Sequence, residues 1–177
     1  MIYQKIGKEM IKQNYDILGI GNAVTDILVE VDYSFLKKNE LEEGAMQLVD
    51  EAVINNLLSD LSISKTLAGG SVANTLATIS NLGGNCAFIG SRKNDKFGKL
   101  FSKSMNENNI YLSNKENENG KSSSLCLVLI TPNGERTMCT YLGASTNLSN
   151  EDMNISLLKE SKIIYLEGYL FDLPEAK

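Results

Sequence analysis

The residues best suited to chemistry form one stretch, Leu67-Ala68-Gly69-Gly70-Ser71-Val72-Ala73-Asn74-Thr75. A glycine pair runs into a residue that can start a helix, and Asn74 follows among small apolar neighbours. Glycine lets a ligand approach the backbone closely. Ser71 can cap the following helix, which puts Asn74 in its first turn, near the positive end of the helix dipole. This arrangement suits a hydroxylated or anionic ligand, although taken alone the stretch reads more readily as a loop-to-helix junction. Two carboxylates lie apart from it in sequence. On its own, Asp26 reads as a turn or strand-start aspartate. Glu167 closes a strand, where ligands gather in α/β sheets, or is a solvated strand-end residue. The chain has no histidine, which excludes a Ser-His-Asp or Cys-His centre within it. With no Cys-x-x-Cys either, a zinc site is not expected.

These residues need elements to position them. Residues 1–14 read as a frayed or helical extension. Residues 15–21 form an apolar run closed by glycine, a buried first strand, and residues 22–26 a turn. A half-exposed strand follows at 27–32, then a charged connector at 35–43 and a short extended segment at 45–49. Asp50 can cap a helix to about Leu61, with Val53, Ile54, Leu57, Leu58 and Leu61 as its apolar stripe. The helix after the glycine pair, 72–82, is apolar nearly all round and stops at Gly83-Gly84. A buried strand is expected at 86–90, a helix from Asn94 to about Asn108, and a solvated loop at 114–121. Pro132-Asn133-Gly134 between apolar runs at 123–130 and 136–142 signals a hairpin. Ser149 with Asp152 resembles a capping box opening a helix to about Glu160. Lys162 to Leu166 reads as a buried strand. Alternating strands and helices argue for an α/β fold with a largely parallel sheet. The segments at 27–32, 45–49, 123–130 and 136–142 lack intervening helices and suggest a small β-flap beside it.

The chain has 177 residues and a net charge of −5. No basic patch points to nucleic acid, and no apolar run approaches the roughly 18 residues that span a bilayer. Cys86, Cys126 and Cys139 are odd in number and sit in apolar contexts, as reduced thiols of a cytoplasmic protein would. Two phosphate-binding patterns fail. Gly19-x-Gly21 lacks the third glycine of a dinucleotide fingerprint, and a strand follows instead of a helix. Gly120-Lys121-Ser122 lacks the first glycine of a P-loop, since Lys115 stands there.

Five motifs in order resemble one family. They are Gly-Ile-Gly-Asn-x-x-x-Asp at 19–26, Gly-Gly-Ser-x-x-Asn at 69–74, Asn-Asp-x-x-Gly at 94–98, Pro-Asn-Gly-Glu-Arg-Thr at 132–137 and Tyr-Leu-Glu-Gly-Tyr at 165–169. The chain resembles the N-terminal part of a ribokinase-like (PfkB) carbohydrate kinase, in the adenosine kinase and ribosugar kinase branch. Val72 and Leu76 depart from it, since the family usually has small residues there. The resemblance implies a three-layer α/β/α sandwich over residues 15–177 with a small β-sheet lid made of the four flap segments.

The resemblance also implies an ATP-dependent phosphotransferase acting on a hydroxymethyl group of a ribosyl compound, an adenosine-like nucleoside or a sugar. Its implied substrate contacts are Asp26, Gly69, Gly70, Asn74 and Glu167, with Gly69-Gly70 also the hinge. Arg136 either faces the site from the lid or faces solvent. The family's second half carries a Gly-Ala-Gly-Asp motif, with the catalytic base, which does not occur here, and an Asn-x-x-Glu motif linked to magnesium; the one such spacing here, Asn39 to Glu42, lies in the charged connector of the first part. No catalytic residue is therefore assigned within the chain, and the base is expected beyond Lys177. ATP and Mg2+ are likewise expected to be held mainly by a second half, and the chain alone is expected to be inactive. The alternative is a non-catalytic sugar- or nucleoside-binding module, or one that dimerises through its lid. No nucleic acid or membrane partner is expected.

Overall fold

The computed structural model describes the backbone of residues 2–6 and 9–172 and the side chains of residues 14–170. Lys177, the residue beyond which the catalytic base is expected, lies outside the described residues. From the N-terminus come β1 (Ile2–Ile6), β2 (Glu9–Gln13), β3 (Tyr15–Ile20) and β4 (Val24–Glu30), then α1 (Tyr33–Lys38), β5 (Met46–Leu48) and α2 (Glu51–Ser59). β6 (Lys65–Gly69) leads into α3 (Ser71–Asn81), β7 (Cys86–Ile89), α4 (Lys96–Glu107) and β8 (Tyr111–Leu112). Then follow β9 (Ser124–Ile130), β10 (Arg136–Tyr141), α5 (Ile155–Glu160) and β11 (Ser161–Leu166).

The first sheet runs β11-β3-β7-β8 and is parallel throughout. Side chains alternate between its faces. Ile17, Cys86 and Phe88 pack with Val72 and Leu76 of α3 and Phe101 and Met105 of α4. Leu18, Ile20, Ala87 and Ile89 pack on the other face with Leu148, Leu157 and Leu170. Covering both faces is what a parallel sheet requires, and it explains the unbroken apolar runs of β3 and β7. The result is an α/β/α sandwich, the fold class expected from the sequence.

The second sheet is mixed, in the order β5-β10-β9-β4-β6. One face buries Ile27, Val29, Leu125, Leu127 and Leu129 against Leu36 of α1 and Ile54 and Leu57 of α2. The other carries Val24, Leu28, Cys126, Val128, Ile130 and Met138. All four flap segments lie in this sheet.

Several local expectations are corrected. Residues 2–6 and 9–13 form an antiparallel strand pair, not a helix or a frayed end. The turn before Asp26 is shorter than expected, because Val24 already begins β4. The charged connector contains α1. β6, with its polar start at Lys65-Thr66, is not among the expected elements. In α3 only Val72, Ala73 and Leu76 are buried, so the helix is one-faced. The Ser149 capping box exists but closes a single 3-10 turn. Asn154 then starts α5 afresh by accepting from the Leu157 amide, the local competition that polar side chains offer a helix. Finally, β11 is an edge strand, not a buried one: Ile163, Ile164 and Leu166 are exposed, since among the described residues its pairing partner is β3 alone.

Candidate acceptor site

The chain crosses between the sheets twice at one place, from β3 to β4 through Gly21-Asn22-Ala23 and from β6 to α3 through Gly69-Gly70-Ser71. Antiparallel pairing of β4 with β6 sets Val24 opposite Gly69 and Asp26 opposite Leu67. The Asp26 carboxylate lies directly over Gly69, where a methyl group would overlap it. Gly70 has φ 90° and ψ 152°, a conformation essentially closed to other residues. A side chain there would also meet the Asn22 carbonyl at 2.9 Å. The glycine pair thus lets two backbone segments and a carboxylate share one small volume.

Glu167 enters from the end of β11. It is 5% exposed. The Asn22 amide donates to its Oε2 at 2.6 Å and the Ser71 hydroxyl to its Oε1 at 2.6 Å. Ser71 is not the helix cap: that position belongs to Gly70, which frees the hydroxyl for Glu167. The sequence signals a polar residue at 71 but not this role, because its partner lies 96 residues away.

Burial pushes the Asp26 carboxyl up to about 6. Among the described residues no donor reaches its oxygens, so nothing offsets the desolvation. Across the sheet Asp26 shares a row with Leu67, Cys126, Thr140 and Leu48. Burial, with a smaller contribution from Asp26, raises the Cys126 thiol to about 11, so it behaves as a small apolar group beside the carboxylate. The Thr140 hydroxyl donates to the Cys126 sulfur at 3.4 Å.

Asp26, Gly69, Gly70 and Glu167 are therefore brought together. Asn74 is exposed in the first turn of α3. Arg136 is exposed and pairs with Ile130, in the row of Glu30. Four residues of strand separate that row from the row of Asp26, about 13 Å. Strand alternation puts Arg136 on the same face as Asp26, but the structure does not bring the two together.

Asp95 and Gly98, read as a cap and a close approach, are both seen. The Gly98 amide donates to Asp95 Oδ1 at 2.8 Å, and a side chain on Gly98 would collide with the Lys93 carbonyl. Among the described residues no group of three or more histidine, cysteine, aspartate or glutamate side chains is placed to hold a metal ion. Gly120-Lys121-Ser122 leads into strand β9, so it does not have the loop-to-helix form of a phosphate cradle. Among the described residues, neither feature offers a cradle for Mg2+ or for the phosphates of ATP. What they can do chemically is receive hydroxyls. Two open depressions of about 410 and 490 Å³ lie elsewhere, around Asn114 and Asp152 and around Asp32 and Phe35. No helix among the described residues is long and apolar enough to cross a membrane.

A family model described as pfkB family carbohydrate kinase matches residues 45–176. A curated Arabidopsis thaliana protein, named probable fructokinase-6, chloroplastic, is 31% identical over 110 residues, covering 61% of this chain and 29% of that protein. The structure of a probable sugar kinase from Rhizobium etli CFN 42 superposes with a TM-score of 0.83 at 33% identity, over 93% of this chain and 50% of that one. Adenosine kinase from Sinorhizobium meliloti gives 0.82 at 36% identity, over 92% and 50%. The chain thus spans about half the length of these solved relatives and less than a third of the curated one.

Proposed function

Because the chain belongs to the pfkB family of carbohydrate kinases, we propose that it carries the acceptor-binding and lid part of an ATP-dependent phosphotransferase acting on a ribosyl hydroxymethyl group. Kinases of this family use ATP as phosphate donor, usually with Mg2+. That donor supplies the phosphoryl group, and the residues here do the rest of what this chain can do. In this reading Asp26 accepts from two adjacent ribose hydroxyls. Gly69 and Gly70 let the sugar lie against backbone, and Asn74 reaches it from the first turn of α3. The second sheet is the lid, whose closure keeps water from the phosphoryl group.

The single observation that carries the reading is a half-buried carboxylate that accepts from no donor among the described residues, beside the apolar patch of Val24, Cys126 and Val128. A nucleoside matches that face: its diol meets Asp26 and its flat base lies along Leu28, Val128 and Met138. Fructose is the second reading, favoured by the 31% identical relative named a fructokinase. Its hydroxyls would meet apolar side chains on the same face, at a desolvation cost.

Isothermal titration of the 177-residue protein with adenosine, ribose and fructose separates the readings. Adenosine is expected to bind, and Asp26→Asn to weaken it by about tenfold, the loss of a charge-assisted hydrogen-bond pair. Binding of fructose alone would overturn the nucleoside assignment. An ATP-coupled assay on the same chain is expected to show no turnover, because the catalytic base of the family pattern is not among these residues. Turnover would sink that part.

A further inference from the structure

The second sheet is joined to the first layer by four passages of the chain. Two of them, Gly21-Asn22-Ala23 and Gly69-Gly70-Ser71, flank Asp26. The other two, before β9 and after β10, have their own fastenings. The Ser123 amide donates to Asp95 Oδ2 at 2.8 Å, and the Ser145 amide donates to the Ser124 hydroxyl at 3.1 Å.

We propose that Glu167 is the pin of the hinge at Asp26, a positioning residue that acts through Asn22 and Ser71. One carboxylate grips both passages. Its Oε2 takes the amide of Asn22 and its Oε1 the hydroxyl of Ser71, each at 2.6 Å. These partners are 145 and 96 residues away in sequence, so no local turn would hold them in register. Glu167 is itself fixed from behind, its amide donating to the Ile20 carbonyl at 3.0 Å as β11 continues its ladder along β3. Glu167 is buried, whereas Ser71 is exposed.

The chemistry of that link has a direction. A hydroxyl has one proton and two lone pairs. Glu167 takes the proton of Ser71, so the hydroxyl presents lone pairs to whatever occupies the site. Asp26 likewise presents only acceptors when ionised. A ligand bound there must donate to both, which selects a compound with several hydroxyl donors close together. The pin thus sets two things at once, the distance between the passages and the polarity of the Ser71 hydroxyl.

This rests on the acceptor-site reading only for the ligand. The hinge itself is tested without one. Amide hydrogen exchange on the 177-residue protein, unliganded, compares the parent with Glu167→Ala and Ser71→Ala. Glu167→Ala is expected to speed exchange about tenfold in peptides covering 20–25 and 68–74 together, the scale of one lost charge-assisted hydrogen bond, and to leave 86–89 and 124–130 unchanged. Ser71→Ala is expected to loosen only 68–74. A uniform rise across all peptides in Glu167→Ala, or no rise in either hinge, overturns the proposal, since a purely structural glutamate would act on the whole fold or on β11. Should Glu167→Ala not fold, Ser71→Ala decides: loosening confined to 68–74 supports the pin, and unchanged exchange there overturns it. Failure of adenosine to bind refutes the ligand reading and leaves the exchange pattern standing, so the two failures are distinguishable.

Discussion

Burial raises the Asp26 carboxyl to about 6 without an offsetting donor, and this has a consequence for stability. Between the unfolded value near 4 and about 6, the folded chain holds a proton that the unfolded chain has released. Folding is therefore favoured more at the lower end of that range, and the advantage disappears as pH rises through 6. Above it, keeping the carboxylate ionised in place costs about 3 kcal/mol at most. Asp26→Asn is accordingly expected to be more stable than the parent at pH 7.5, with the gap closing by pH 4. Urea melts at both values check this, and an Asn variant less stable at pH 7.5 would show that the charge is compensated. Of the site, the glycine pair was legible, because only glycine tolerates the φ of residue 70. The Glu167–Ser71 bond was not, because neither residue's type nor its neighbours encode a partner 96 residues distant.

At the scale of elements, two aspartates do unequal work. Asp50 caps α2 by accepting from the Val53 amide at 2.8 Å and is exposed. Asp95 caps α4 with one oxygen and holds the Ser123 amide, at the entry to β9, with the other. Burial pushes the Asp95 carboxyl up, but the hydrogen bonds from Gly98 and Ser123 more than offset that and leave it low. Asp50→Ala is expected to cost about 1 kcal/mol, the usual value of a cap. Asp95→Ala is expected to cost about 2–4 kcal/mol, since it also orphans an amide at a sheet entry. Chemical denaturation of both variants gives the comparison, and equal losses would mean that Ser123 finds another acceptor. Most elements could be read from the sequence where one signal dominated. The Pro132-Asn133-Gly134 turn and the apolar runs of β3 and β7 are of that kind. β6 escaped because its outer half is polar and its inner half is Leu67, Ala68 and Gly69 in an unbroken run, so period-2 alternation never develops.

At the scale of the molecule, the outer edge of β11 has no strand partner among the described residues. Ile163 and Ile164 point to opposite faces of β11, and both are about half exposed. Nothing in the letters distinguishes them from Ile17 and Leu18, which are buried between two strands and two helix layers; only the presence of neighbours decides. An uncovered apolar edge is a site for association. Sedimentation of the 177-residue protein is expected to show concentration-dependent self-association, reduced in an Ile163→Lys, Ile164→Lys double variant whose melting is little changed. A monodisperse monomer at high concentration would contradict this. The pairing of β11 with β3 has one more effect, on timing. Residues at that junction meet across 146 positions of chain. At a ribosomal rate of about 5–20 residues per second, roughly 7 to 30 s separate the emergence of β3 from that of its partner. β7 emerges sooner and lies on the other side of β3, so half of the ladder can close early. The grip on Asn22, the amide just after β3, cannot close until β11 has been translated. During synthesis the hinge beside Asp26 therefore sets later than the ladder between β3 and β7.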